Sequence, residues 1–169
     1  AFLEQWRIPP TQLRVPEDEA AARAVLEASA READLILISG GASVGEHDFT
    51  RRLLEHFGFT IHISKTTARP GKPLILAQRG DTLAFGLPGN PVSAFVGFEV
   101  FVRAAIAKLN GSYNGSRPQI RVRCAEQIDS DGRESYLRAE VLPDGETGVL
   151  VAHLTGHQGS GNLHSLVQA

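Results

Sequence analysis

Apolar residues along this 169-residue chain fall into two regimes. As far as Leu109, short apolar runs alternate with longer stretches that have helical spacing. Beyond Asn110-Gly-Ser-Tyr-Asn-Gly-Ser116, short alternating runs are separated by Asp-Gly turns. In the first regime, Ala1 to Arg7 predicts the tail of a helix, broken by Ile8-Pro9-Pro10, and Thr11–Val15 a short strand. Pro16-Glu17-Asp18-Glu19 places proline and acids in a helical first turn. Ala21, Ala24, Val25, Ala28 and Ala33 give that helix an apolar side. Asp34-Leu-Ile-Leu-Ile38 predicts a buried strand. A second helix runs from about Asp48 to Phe57, with Gly58 as its C′ residue. Phe59–Ser64 alternates apolar with polar and predicts an edge strand, and Leu74–Ala77 and Thr82–Phe85 two strands around Arg79-Gly80-Asp81. Val92–Leu109 is apolar nearly all round, so it is a helix covered on most sides by its own sheet or by a partner chain. In the second regime, Gln119–Ile128, Tyr136–Leu142 and Gly148–Ala152 predict strands, with turns at Asp131-Gly132 and Asp144-Gly145. An α/β domain over residues 1–112 is therefore expected, then a β domain over 117–169.

Two strand-to-helix joints share one design. Leu87-Pro-Gly-Asn-Pro-Val-Ser-Ala94 follows an apolar strand. Pro88 and Gly89 suit a turn, Asn90 suits an N-cap, and Pro91 suits the first helical position. The backbone N–H groups at such a helix start attract anions. Ser39-Gly-Gly-Ala-Ser-Val-Gly45 repeats the arrangement after the strand ending at Ile38. On parallel strands the two loops would open at the same carboxyl edge, where open α/β sheets bind ligands. Both could equally be short connecting turns, since a lone Gly-rich turn is a weak signal.

Composition adds mainly exclusions. Hydrophobic content of 42%, charged content of 21% and a net charge of −2 describe an ordinary globular chain with no electrostatic case for nucleic acid or anionic membrane. The single cysteine, Cys124, excludes an internal disulfide and favours a reducing, cytoplasmic compartment. No apolar run reaches 18 residues and no signal peptide is visible. The chain has no methionine and starts at Ala1, so a fragment of a longer protein is expected. His153, His157 and His164 lack the spacing of a zinc site, and Cys124 has no evident base beside it.

Four motifs occur in order: Ser39-Gly-Gly-Ala-Ser-Val-Gly-Glu-His-Asp48, Lys65 with Arg69-Pro-Gly-Lys-Pro73, Leu87-Pro-Gly-Asn-Pro-Val-Ser-Ala94, and Gln158-Gly-Ser-Gly-Asn-Leu-His-Ser-Leu166. Together they resemble the molybdopterin molybdenumtransferase family, that is MoeA and the gephyrin E domain, over almost the whole chain. The resemblance implies a three-layer open sheet of the molybdopterin-binding type, its first strand missing here, followed by a small all-β C-terminal domain. It implies an enzyme of molybdenum cofactor biosynthesis that inserts molybdate into adenylylated molybdopterin and releases AMP, with Mg²⁺ involved. It also implies a homodimer whose cleft lies between the α/β domain of one subunit and another domain of its partner, and contact with the molybdopterin adenylyltransferase. The family has further domains upstream and an upstream Gly-Asp-Glu turn, neither of which is in this sequence, so the fragment alone is expected to be inactive. Two alternatives are the related adenylyltransferase itself and a non-catalytic scaffold module.

By the same resemblance, Asp48 would hold Mg²⁺ or help place molybdate; it could also cap the helix that follows. Lys65 and Arg69 match basic family positions, the second commonly lysine, and would bind oxyanion or phosphate together with Lys72. The plainer reading of the three is a solvated basic loop. Ser39, Gly40, Gly41, Ser43 and Gly45, with Pro88, Gly89, Asn90, Pro91 and Ser93, would shape the pocket for the pterin phosphate or the nucleotide.

Overall fold

In a computed structural model of the protein, the described residues are Leu3, 8–14, 18–39, 46–112, 117–159 and Leu166. The expected helix at Ala1–Arg7 lies outside them apart from Leu3, which is helical. Residues 11–14 form no strand, contrary to expectation. Helix α1 is Glu19–Glu32, and its N-cap is Asp18, whose carboxylate accepts from the Ala21 N–H at 2.8 Å. Strand β1 (Leu35–Ser39) leads to α2 (Glu46–His56). α2 therefore starts two residues earlier than expected. Asp48 sits inside it, so it is not the N-cap; its side chain is outside the described set.

The end of α2 is legible in its chemistry. Gly58 adopts φ +74°; its N–H donates to the Glu55 carbonyl at 3.0 Å, and the Phe59 N–H donates to Leu54 at 3.0 Å. This is the paired cap that ends many helices at a glycine. It drops Phe59, 3% exposed, beside Leu54, 0% exposed.

Strands β2 (Thr60–Ile63), β3 (Ile75–Arg79) and β4 (Thr82–Leu87) follow. The sheet order is β1-β4-β3-β2, which puts β2 at an edge as its alternation predicts. β1 pairs parallel with β4, while β3 is antiparallel to both β4 and β2. The β3–β4 turn has two residues, and Gly80 takes φ +57°, the conformation such a tight hairpin asks for.

The helical stretch after β4 is α3 (Pro91–Gly97), a π-helical turn (Phe98–Val102) and α4 (Arg103–Leu109). Its deepest apolar side chains are Val92, Val96, Val102 and Ile106. The six-residue step from Val96 to Val102 would turn a pure α-helix by about 240°. The wider π turn takes up part of that rotation and keeps the apolar side on the sheet.

Layering follows from the strand alternation. Ile36, Ala84, Ile75 and Ala77 pack with Leu26 and Ala30 of α1 and Leu53 and Leu54 of α2. Leu35, Leu37, Phe85 and Leu87 face Phe98, Val102 and Ile106 on the other side. The result is helix, mixed sheet, helix.

The C-terminal unit is a separate three-stranded sheet: β5 (Arg123–Cys124), β6 (Ala139–Pro143) and β7 (Leu150–Leu154), in the order β5-β7-β6. Of the expected strand Gln119–Ile128, only Arg123 and Cys124 pair, parallel to β7. Among the described residues only Val151 and Ala152 are buried apolar residues here, while Ile120, Val141, Leu142 and Val149 stay exposed. One thin sheet offers little shelter.

Candidate functional site

The sheet brings some of the predicted residues, Ser39, Lys65, Lys72 and the Leu87–Asn90 turn, to one edge. Ser39, the last residue of β1, pairs with Leu87, the last of β4. Because β3 is antiparallel, its first residue, Ile75, pairs with Gly86. Ile63, the last residue of β2, pairs with Leu76. The carboxyl ends of β1, β2 and β4 and the start of β3 therefore line one rim, which carries Ser39, Lys65, Lys72 and the Leu87–Asn90 turn. Gly40, Gly41, Ser43 and Gly45 lie outside the described residues.

At the Leu87–Asn90 turn the local chemistry is as expected. Asn90 is the N-cap of α3, accepting from the Ser93 N–H at 3.5 Å, and Pro91 opens the helix. Ser93 and Pro88 are buried, and Gly89 is exposed. Ser93 is thus part of the packed first turn, which leaves Gly89 and the cap as the outward face.

The basic loop is closed on itself. The Thr66 N–H donates to the Lys72 carbonyl at 2.9 Å, and Thr66 Oγ1 donates to the Gly71 carbonyl at 3.0 Å. Gly71 has φ +121°, and a Cβ there would stand 3.9 Å from both the Ser93 carbonyl and Ala68 Cβ, so the loop lies against the first turn of α3. The Arg69–Pro70 peptide is cis. Lys65 and Lys72 are exposed, and no carboxylate among the described residues pairs with either.

Arg69 is placed differently. Its guanidinium pairs with Asp131 at 3.1 Å, across 62 residues of sequence. Its N–H donates to the Glu134 carbonyl at 2.9 Å, and its carbonyl accepts from the Tyr136 N–H at 2.8 Å, which forms a bridge opposite Ser135. The Arg133 side chain, followed by its backbone N–H, donates to Asp131 and lowers that carboxyl to about 2, with Arg69 adding a smaller pull. Tyr136 is pushed up to about 12, first by burial and then by its hydroxyl donating to Glu134 at 2.8 Å.

Arg138 was not singled out by the sequence. Only 6% exposed, it sits just before β6. Its Nη2 donates to the carbonyls of His157 at 2.9 Å and Gly159 at 3.3 Å. Gln158 completes the lock: its Oε1 accepts from the Arg138 N–H at 3.0 Å, and its Nε2 donates to the Arg138 carbonyl at 2.8 Å. Arg138 Nε and Nη1 are buried with no partner among the described residues. An arginine inside an apolar run was the available signal. The motif Gln158–Leu166 lies outside the described residues from Ser160 to Ser165.

The C-terminal unit also holds a cavity of about 410 Å³ lined by Cys124, Asp144, Val151 and His153 among others. It shares no residue with the rim. Cys124 is exposed there, with Sγ 3.9 Å from a Glu126 carboxylate oxygen. Among the described residues, no group of three or more His, Cys, Asp or Glu could hold a metal ion, and no helix is long and apolar enough to cross a membrane.

Comparison with known proteins matches residues 5–108 to the family described as "Probable molybdopterin binding domain", and residues 121–169 to "MoeA C-terminal region (domain IV)". A molybdopterin molybdenumtransferase from Nostoc is 37% identical over 161 residues, 91% of this chain and 36% of its own length. The Drosophila melanogaster molybdenum cofactor synthesis protein cinnamon is 39% identical over 138 residues, 80% of this chain and 23% of that protein. The crystal structure of the MoeA molybdopterin biosynthesis protein from Pyrococcus horikosii superposes with a TM-score of 0.67 at 25% identity, covering 90% of this chain and 35% of that one. The chain thus spans roughly a quarter to a third of these relatives.

Proposed function

We propose, from the premise that this chain belongs to the molybdopterin-binding domain family with a MoeA C-terminal region behind it, that it is part of a molybdenumtransferase. Its reaction is insertion of molybdate into adenylylated molybdopterin with release of AMP. The observation that carries this reading is the shared rim: three strand ends and one strand start collect a capped helix N-terminus and two exposed lysines that pair with no carboxylate among the described residues.

Both substrates are anions. At the rim, the N–H groups of the α3 start and the Lys65 and Lys72 ammonium groups would hold phosphate or molybdate oxygens. Such a site works by placement and charge rather than by a covalent intermediate.

Mg²⁺ belongs to the proposal in one form only. The described residues do not make a cage for it. It would take the Asp48 carboxylate together with substrate phosphate oxygens and water, the usual habit of this ion, and would neutralise phosphate charge. A homodimer, contact with the adenylyltransferase and a cytoplasmic setting complete the reading. So does the division into domains 1–112 and 117–169.

The test is calorimetric titration of the chain with AMP and, separately, with molybdate. Lys65→Ala is expected to weaken AMP binding about tenfold, the scale of one charge-assisted hydrogen bond. AMP and molybdate affinities unchanged by both Lys65→Ala and Lys72→Ala would overturn the assignment.

A further inference from the structure

The loop from Lys65 to Lys72 is held at two points of different kinds. Its base is closed locally by Thr66 on Lys72 and Gly71. Its tip is sewn to a distant segment: Arg69 gives and takes one backbone hydrogen bond with Glu134 and Tyr136, and its side chain reaches Asp131. That distant segment is itself stiffened. Arg133 donates to the same Asp131 carboxylate, the Gly132 N–H donates to Ser130 Oγ at 3.2 Å, and Tyr136 donates to Glu134. Of the loop's three cations, one is therefore engaged with the C-terminal unit, and the other two face outward at the sheet rim.

We propose that Arg69 is a positioning residue rather than an oxyanion ligand, and that Asp131 is its partner. Together with the Ser135 bridge, they latch the basic loop to the C-terminal unit and fix where Lys65 and Lys72 present their charge. The inference rests on the reading that the rim binds an oxyanion, and it assigns the C-terminal unit a task at that rim within the same chain. The loop has no strand pairing of its own beyond β2 and β3. The two backbone hydrogen bonds at its tip and the Arg69–Asp131 ion pair together limit its swing, and the ion pair is the part the side chains supply.

The latch and simple electrostatics predict opposite signs. If Asp131 acted only through its charge, removing it would raise the local positive potential and tighten anion binding. If it acts as a latch, removing it loosens the loop and weakens binding.

The experiment titrates the chain with AMP for Arg69→Ala, Asp131→Ala, the double variant and Asp131→Glu, with amide hydrogen exchange followed over residues 66–72. Each alanine variant is expected to weaken binding about two- to fivefold, the range of a partly exposed ion pair. The double variant should lose no more than the worse single one, because both remove the same latch. Asp131→Glu should recover most of the affinity, and exchange should speed up in each alanine variant while the thermal midpoint stays put. Unchanged or tighter binding in Asp131→Ala overturns the latch. So does a double variant whose loss is the product of the two singles, which would make Arg69 a direct ligand. The Lys65→Ala titration reports separately on the rim: if it leaves AMP binding untouched the oxyanion reading fails, and loop exchange in Asp131→Ala still decides whether the latch exists.

Discussion

Replacing Gly86 by alanine should loosen the contact that seats α2 on the sheet beside the rim. Gly86 lies in β4 between Ile38 of β1 and Ile75 of β3. A Cβ there would meet Ile75 Cβ at 3.1 Å, Thr50 Cγ2 at 3.1 Å and Ile75 Cδ1 at 3.3 Å. All three are closer than ordinary van der Waals contact. Ile75 Cβ is rooted in the backbone of a fully buried strand residue and cannot swing aside. Thr50 is 7% exposed and β-branched within a helix, so its methyl is stiff as well. Gly→Ala at a compatible site gains about 0.4–1 kcal/mol by restricting the unfolded chain. Overpacking a dense core costs about 1–3 kcal/mol. With neither neighbour able to yield cheaply, the cost wins, and a net loss of about 1–2 kcal/mol is expected. At roughly 2–4 °C per kcal/mol for a chain of this size, the thermal midpoint should fall by about 2–8 °C. Urea unfolding is the primary assay, with the midpoint shifted and the slope unchanged. Thr50→Ser in the alanine background deletes one of the two 3.1 Å contacts and should recover part of the loss. A Gly86→Ala chain as stable as the parent, or one that Thr50→Ser does not help, would refute the argument.

Two further outcomes follow from contacts elsewhere. Arg79 donates to the Phe57 carbonyl at 3.1 Å and the Ala30 carbonyl at 3.0 Å, at the ends of α2 and α1, and lies 5.1 Å from the Phe59 ring centroid. Arg79→Ala should cost about 1–3 kcal/mol in urea unfolding, since it orphans two helix-end carbonyls, and an unchanged midpoint would contradict this. Tyr136 has its folded pKa raised to about 12, above the unfolded value near 10. Its stabilising share is thus complete below pH 10 and declines as pH climbs through 12. Near-ultraviolet absorbance should show one tyrosine ionising late, a step absent in Tyr136→Phe; titration of Tyr136 near 10 would rule out the half-buried ring with its hydroxyl on Glu134.

Features with local causes were readable in the sequence, and features made by distant pairing were not. Asn90 and Pro91 cap and open α3 because an amide side chain and a fixed φ do so in any surroundings. Gly58 ends α2 for a reason equally contained within the six residues Leu54 to Phe59. Asp48 was assigned a possible cap because it is an acid near a helix start, but the helix begins at Glu46. In the C-terminal unit, the alternation of Gln119–Ile128 overstates the strand. Alternation reports a face that could be buried, and Ile120 is 67% exposed because nothing among the described residues lies over it. Arg69 and Asp131 are 62 positions apart, and neither residue carries a trace of the other in its neighbours.

The candidate site depends on that non-local level. Parallel pairing of β1 with β4 brings Ser39 beside Leu87, the residues from which the two Gly-rich stretches leave the sheet, and this could be foreseen from two strand-loop-helix patterns. Lys65 and Lys72 arrive by another route. β2 ends, and β3 begins, at the same rim only because β3 runs against both of its neighbours. That reversal is set by the two-residue hairpin at Gly80-Asp81, at the opposite end of the strands from the rim. A slip of one residue in that hairpin would send Ile75 and Ala77 to the wrong face and move the basic loop away from Asn90. The rim's charge is therefore placed by a turn that never touches it, through the register that a buried Ile75 and Ala77 enforce.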